Sequence, residues 1–356
     1  LPSLCLTQSG GYKVIFDYAN RFADKGWDVQ LVLPMFMLAG DGIFRKLIKG
    51  VVRSVLLVAG RNARRPKWFD LSEKVRTKIV LTLDQLFVPD ADVYVATAAN
   101  TAHYLMRYRN CAAAYFVQGY ETWILDESRL FDTYRSKLVK FSISNWLADE
   151  IRSVREQTVT VIPNGLDFNC WGCDIPYLNR YPHSIAVMYH PAEYKRFDIS
   201  MSAILALKGK WPDLQVTVFG VYHRPETLPE WCSYHFRPTQ QELRAIYNDS
   251  AVYLAMSRSE GWGLTVGEAM ACGCVVCCSN CKGYLEMVTD RVNALVCATD
   301  DVHGASELVS MAFEDRGLSS RLSEAAVTDM RRFSSEKSFS IFEERLCKVP
   351  QQECLA

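Results

Sequence analysis

Two glutamates eight positions apart, Glu260 and Glu268, stand in the run YLAMSRSEGWGLTVGEAMACGCVV over 253–276. Their surroundings give that spacing chemical meaning. Gly261 and Gly263 bracket Trp262, and glycines let a backbone approach a ligand closely and take positive φ without penalty. A helix opening near Leu264 and Thr265 offers unpaired first-turn N–H groups and the positive end of a helix dipole, a seat for phosphate. Glu268, one turn in, points along the same side and can accept hydrogen bonds from vicinal hydroxyls. Amides for a phosphate and a carboxylate for a diol describe a nucleotide-sugar site.

The elements that must position these groups are short and alternate in type. The pattern predicts a buried strand over 253–256, a polar loop over 257–263, the helix, and a second buried strand over 275–278. The N-terminal half shows the same grammar. Residues 5–7 read as the end of a strand, Gln8-Ser9-Gly10-Gly11 as a loop, and 12–25 as a helix with Val14, Ile15, Tyr18 and Phe22 on one face. Gly26 closes that helix, and a strand over 29–33 ends at Pro34. No G-x-G-x-x-G follows the first strand, so a dinucleotide fingerprint is absent. Further strands are expected over 90–96, 113–117, 141–144 and 159–162. Side chains just past a parallel strand face the ligand crevice, which singles out Gln118, Tyr120 and Glu121 after 113–117. The second half restarts with a strand over 185–189, a helix over 197–208 and a strand over 216–219. A helix over 240–249 precedes the signature run. A strand over 293–296 and helices over 306–315, 318–331 and 335–346 follow it. The only internal repetition is this doubled α/β pattern.

A chain of 356 residues exceeds what one core usually holds, which predicts two domains. Lys plus Arg and Asp plus Glu are equal at 40 each, so net charge gives no sign of a nucleic-acid partner. No apolar run reaches the roughly 18–20 residues that span a bilayer, and no basic-then-apolar leader opens the chain. Thirteen cysteines, odd in number and often inside apolar strands, read as reduced thiols in a cytoplasmic protein. Cys170 and Cys173 have metal or redox spacing, and Cys272, Cys274, Cys277, Cys278 and Cys281 crowd one strand. Neighbours on a strand point to opposite faces, which is poor geometry for one metal, so these read as small buried hydrophobes. Residues 43–67 carry Arg45, Lys46, Lys49, Arg53, Arg61, Arg64, Arg65 and Lys67 with no acid, beside an apolar stripe. Such a helix can lie in the interface of an anionic membrane, or pack its stripe on a sheet with the basic face solvated.

The run Glu260-Gly-Trp-Gly-Leu-Thr-Val-Gly-Glu268-Ala-Met-Ala-Cys-Gly273 closely resembles the signature of the retaining glycosyltransferases of family 4, a Glu, seven residues and a Glu. Pro163-Asn164-Gly165-Leu166-Asp167 matches that family's hinge-side motif, and Asn280-Cys-Lys-Gly283-Tyr-Leu-Glu286 its glycine turn, where Gly283 is expected as a turn requirement. YFVQGYE over 115–121 resembles the rhamnosyltransferase-like branch. The resemblance implies a GT-B fold: two Rossmann-like α/β domains facing each other across a cleft. Their expected limits are 1–167 for the acceptor-binding domain, 168–183 for a linker and 184–334 for the nucleotide-sugar-binding domain. A terminal helix over 335–347 is expected to pack back on the first domain.

By the same resemblance, Glu260 sits beside the transferred sugar and Glu268 binds the donor ribose. Gly261, Trp262, Gly263, Leu264 and Thr265 line the donor phosphates, and Gly10 and Gly11 match a glycine loop facing the cleft. The family clamps the diphosphate with an Arg just after the strand and a Lys five residues later. Lys195 holds the Lys position, His190 stands in the Arg position, and Arg196 is placed to compensate. Cations there offset charge growing on the leaving group. The family's His near 118–121 is absent. The implied activity is retaining transfer of a hexose or deoxyhexose, rhamnose by branch, from a nucleotide-diphosphate sugar to a glycan or lipid-linked hydroxyl. No metal or other cofactor is expected, and the location expected is cytoplasmic or at the inner face of a membrane through 43–67. An epimerase of nucleotide sugars with the same architecture, and a catalytically silent sugar-nucleotide-binding scaffold, are the alternatives.

Overall fold

The computed structural model describes residues 1–3, 8–37 and 65–349. The strand expected over 5–7 and nearly all of the basic segment 43–67 lie outside the described residues. Contacts divide the chain into two units, Leu1–Pro163 with Ser338–Ala356, and Asn164–Lys337.

The first unit opens with helix α1 (Gly10–Asp24), whose Val14, Ile15, Tyr18, Phe22 and Ala23 are buried. Strands β1 (Gln30–Pro34) and β2 (Arg76–Val80) pair in parallel. A four-stranded parallel sheet runs in the order β3 (Val93–Ala96), β4 (Ala112–Val117), β5 (Val139–Ser142), β6 (Val159–Val161). Helices α2 (Ala99–Leu105), α3 (Glu127–Arg135) and α4 (Asn145–Val154) connect these strands. β4 is buried along its whole length, as expected of a strand covered on both faces. β5 starts ahead of the expected 141–144 because Lys140 lies within it, fully buried. Its ammonium donates to Ser136 O (2.9 Å) and Leu138 O (2.7 Å), which satisfies it without a carboxylate. Burial lowers its pKa to about 7.

The second unit is a six-stranded, all-parallel sheet. Its strands are β7 (Ser184–Met188), β8 (Gln215–Gly220), β9 (Ser233–Phe236), β10 (Val252–Ala255), β11 (Val275–Ser279) and β12 (Leu295–Cys297). The spatial order is β12-β11-β10-β7-β8-β9. The chain builds outward from β7 in one direction, then returns to lay β10 on the other side. The order therefore reverses between β7 and β10, the switch point where open parallel sheets hold ligands. Helices α5 (Phe197–Lys210), α6 (Gln240–Asp249) and α7 (Leu264–Ala271) link the strands, and α8 (Val302–Glu314) and α9 (Arg316–Met330) follow the last of them. Cys272, Cys274, Cys277, Cys278 and Cys281 are each at most 2% exposed. Burial pushes the Cys274 and Cys281 thiols up to about 11. Among the described residues no group of three or more His, Cys, Asp or Glu could hold a metal ion.

Residues 168–183 are not a free linker; they belong to the second unit. Trp171 and Arg180 are buried, and Arg180 Nη1 donates to Tyr247 O (3.1 Å) and Ser250 O (2.9 Å). The Pro, Gly and Asn content suggested a tether, but one arginine and one tryptophan weld it to the sheet's helices. The last helix, α10 (Ser335–Leu346), passes into the first unit at Ser338. There Phe339 and Phe342 pack on Tyr18 and Phe22, and Phe342 stacks on Phe116 at 5.2 Å. No helix of the described residues is long and apolar enough to cross a membrane.

Candidate active site at the sheet switch point

The loop after β7 and the loop after β10 meet. Their backbones are tied by Arg258 N–H donating to Tyr194 O at 2.7 Å. Above this tie, Lys195 Nζ reaches both carboxylate oxygens of Glu260, Oε1 at 2.7 Å and Oε2 at 2.9 Å. Both side chains keep some exposure, 16% for Lys195 and 13% for Glu260. Burial works against the Lys195 charge, but the adjacent Glu260 carboxylate outweighs it and raises the ammonium's pKa. Lys195 thus stays charged at the carboxyl edge of the sheet.

His190 lies beside them. Its Nδ1 accepts from Ala192 N–H at 3.0 Å, which places the ring proton on Nε2. Burial, then the Lys195 charge, lowers its pKa to about 4, so the imidazole is a neutral N–H donor at neutral pH. Arg196 is less available than the sequence suggests. It sits in the left-handed region (φ 49°) as the N-cap of α5, and its guanidinium faces Asp300 Oδ1 (2.6 Å) and Asp198 Oδ2 (3.2 Å). Its Nε contact with Asp300 is an ion pair off the hydrogen-bond axis.

Helix α7 begins where the pattern placed it, with Gly263 as N-cap at φ 100°. A Cβ there would be strained by φ and would stand 2.6 Å from the Tyr284 ring. A glycine cap offers no side-chain acceptor; Val266 N–H donates to Gly263 O at 3.1 Å, and the Leu264 and Thr265 amides ahead of it stand at the open end of the helix. Trp262 does not line that opening: it is 1% exposed and packs edge-on against Phe333 at 5.3 Å. Glu268 is 4% exposed on α7. Glu260 and Glu268 both raise the pKa of the buried Tyr253 phenol, after burial itself, so the two carboxylates share one neighbourhood. Thr265 faces the same phenol.

Gly283 has φ −66°, which any residue adopts, so the expected turn requirement is not its reason. It is a close approach: a Cβ would stand 2.3 Å from Glu260 O. Two groups that sequence reasoning missed are Ser257, whose Oγ donates to Glu260 Oε1 at 2.8 Å, and Tyr284, whose hydroxyl lies 3.4 Å from the same oxygen. Ser257 stands three residues before Glu260, and the sequence offered no signal for Tyr284.

The family model described as glycosyl transferases group 1 matches residues 185–329, most of the second unit, and these residues include His190, Lys195, Glu260 and Glu268. Over 121 residues the chain is 28% identical to an uncharacterized glycosyltransferase of Haemophilus influenzae, covering 32% of this chain and 34% of that protein. Over 99 residues it is 25% identical to the N,N'-diacetylbacillosaminyl-diphospho-undecaprenol alpha-1,3-N-acetylgalactosaminyltransferase of Campylobacter jejuni, covering 28% and 26%. The chain thus matches about a third or less of the length of these curated relatives. Similar solved structures extend beyond the group 1 domain. HepE of Anabaena, solved with UDP and glucose, aligns over 96% of both chains (TM-score 0.70, 15% identity). Sucrose-phosphate synthase of Thermosynechococcus elongatus aligns over 96% of this chain and 94% of its own (TM-score 0.72, 14% identity). The chain shares the α/β GT-B fold of these structures.

Outside the group 1 domain, Gln118, Tyr120 and Glu121 follow β4. Gln118 Nε2 donates to Thr97 O at 3.1 Å, and its Oε1 faces Gly11. Tyr120 donates to Glu127 Oε1 at 2.6 Å. Glu121 is 7% exposed and accepts from Ala99 N–H, capping α2. Burial raises its pKa to about 7, against the pull of the Ala99 amide and the Tyr115 hydroxyl. The expectation that Glu121 faces the crevice is corrected: its carboxyl turns inward to serve a helix end.

Proposed function

We propose that the protein is a retaining glycosyltransferase. It moves a hexosyl or deoxyhexosyl group from a nucleotide-diphosphate sugar to a hydroxyl of a glycan or lipid-linked acceptor. The observation that carries the reading is the Lys195–Glu260 ion pair beside the N-terminus of α7, which has no side-chain cap, at the switch point of a sheet that matches the glycosyl transferases group 1 model.

In this reading the diphosphate lies against the Lys195 ammonium, the His190 Nε2–H and the α7 amides from Leu264 and Thr265, reached past Gly261 and Gly263. Glu268 takes the ribose hydroxyls. Arg196, held by Asp198 and Asp300, acts through the loop rather than on the phosphate. As the bond from the anomeric carbon to the diphosphate oxygen breaks, negative charge grows beside Lys195 and positive charge grows on the sugar beside Glu260. The acceptor oxygen bonds to the anomeric carbon on the same face, and its proton passes to the departing diphosphate. Placement and fixed charge then supply the rate. Gly10, Gly11, Gln118 and Tyr120 of the first unit belong to the acceptor side.

Similarity supports the donor class: HepE is solved with UDP and glucose. The named substrate of the Campylobacter relative, a diphospho-undecaprenol, favours a lipid-linked acceptor. Rhamnose as the transferred sugar rests on the YFVQGYE resemblance. Peripheral attachment to an anionic membrane through 43–67 rests on the basic composition of that stretch. No metal is assigned a role.

The test is incubation of the chain with UDP-, GDP- and dTDP-sugars, with and without a polyprenyl-linked saccharide, following nucleoside diphosphate. Acceptor-dependent release of the diphosphate is expected. Equilibration of sugar stereochemistry without acceptor would point to an epimerase, and binding without turnover to a silent scaffold.

A further inference from the structure

The two oxygens of Glu260 are not equivalent. Oε1 meets three donors: Lys195 Nζ at 2.7 Å, Ser257 Oγ at 2.8 Å and the Tyr284 hydroxyl at 3.4 Å. Oε2 meets Lys195 Nζ alone among the described residues, at 2.9 Å. A terminal carboxylate torsion is broad and roughly two-fold, so without a device the two oxygens exchange freely and neither has a fixed direction. Here the device is built from buried groups. Ser257 is 3% exposed, and its carbonyl accepts from the fully buried Ser279 hydroxyl at 2.6 Å. Tyr284 is 2% exposed and follows Gly283, whose lack of a side chain brings the Tyr284 segment against the Glu260 carbonyl.

We infer that Ser257 and Tyr284 are positioning residues that pin Oε1 of Glu260 and leave Oε2 as the oxygen turned toward the transferred sugar. The inference deepens the donor-site reading and rests on it. Burial, with Glu260 beside it, holds the Tyr284 phenol well above its ordinary pKa, so it remains a proton donor across the working range. Ser257 is neutral at every pH. The clamp therefore adds no charge of its own: it fixes direction while Lys195 fixes charge. A carboxylate oriented this way loses little entropy as positive charge develops at the anomeric centre, and the benefit appears in turnover rather than in ground-state binding.

The experiment compares Ser257→Ala, Tyr284→Phe and Ser257→Thr with the native chain. It uses whichever of UDP-glucose, UDP-N-acetylglucosamine, GDP-mannose and dTDP-rhamnose the native chain turns over. Each hydroxyl deletion is expected to lower kcat by about tenfold while KM for the donor stays within about twofold. Ser257→Thr keeps the hydroxyl and is expected to recover most of the rate. Melting temperature, read in parallel, separates a packing defect from a lost clamp. Tyr284→Phe, which removes one oxygen and no volume to speak of, keeps the test decisive if Ser257→Ala folds poorly. Native kcat in both deletions overturns the positioning role and leaves the donor site standing. A native chain that neither binds nor turns over any of the four nucleotides overturns the donor-site reading, and the positioning role with it.

Discussion

Two glutamates occupy corresponding places in the two units and meet opposite kinds of partner. Glu121 follows β4 and Glu260 follows β10, each just past the carboxyl end of a buried parallel strand. Glu260 is met by an ammonium and two hydroxyls. Glu121 is met by a helix-end amide, with burial raising its pKa to about 7. The strand-end rule finds the place where a ligand can sit, and the partner found there decides whether a carboxyl faces a cation or is spent on a helix end.

The sharpest way to break this contrast is to neutralise each glutamate and ask which measurement moves. Glu260→Gln should lower kcat by about a hundredfold or more with donor KM little changed, as read from release of nucleoside diphosphate. Glu121→Gln should leave kcat near native. Next in size is Glu268→Ala, expected to weaken nucleotide affinity about tenfold or more by calorimetry, since it removes acceptors from a ribose diol. Glu121→Ala should instead destabilise the fold by about 1–2 kcal/mol through loss of the α2 cap, seen in denaturant midpoints.

The subtlest test uses pH. The folded state holds the Glu121 proton more tightly than the unfolded chain. Its stabilising contribution is therefore full below the ordinary value of 4.5 and is lost as pH rises through about 7. His190 runs the other way. Its pKa falls from 6.5 to about 4, so its contribution is present above 6.5 and lost as pH falls toward 4. Glu121→Gln should flatten the decline between pH 4.5 and 7, and His190→Gln the rise between 4 and 6.5. Urea titrations across that range read both slopes.

Much of the region proposed to hold the donor was legible because its determinants are local. Gly263 and Leu264 announce a helix start by residue type, and Glu268 follows from helical spacing. Lys195 was singled out by its match to the Lys position of the resembled family. What stayed hidden depends on contacts between distant segments. Arg196 reads as a free cation until Asp300, far along the chain, arrives to pair with it. Gly283 reads as a turn until the Glu260 carbonyl is found against it. Tyr284 carries no local sign that its hydroxyl turns toward a carboxylate. In the fold, β2 and β9 went unrecognised because neither carries the apolar run that marked the others: only Ile79 and Val80 of β2 are buried, and β9 is largely exposed. Glu121 misled for a related reason: strand ends expose side chains on average, and only the α2 amide shows where this one goes.

Hydrogen–deuterium exchange of the full chain with saturating UDP or GDP tests the central claim most directly, because it asks where the diphosphate lands. The account predicts slower exchange in the loop after β7 (189–196) and from the loop after β10 through α7 (257–271), with the β4 loop at 118–123 unchanged. Protection confined to the β4 loop, or bound nucleotide with no protection in either second-unit segment, would contradict it.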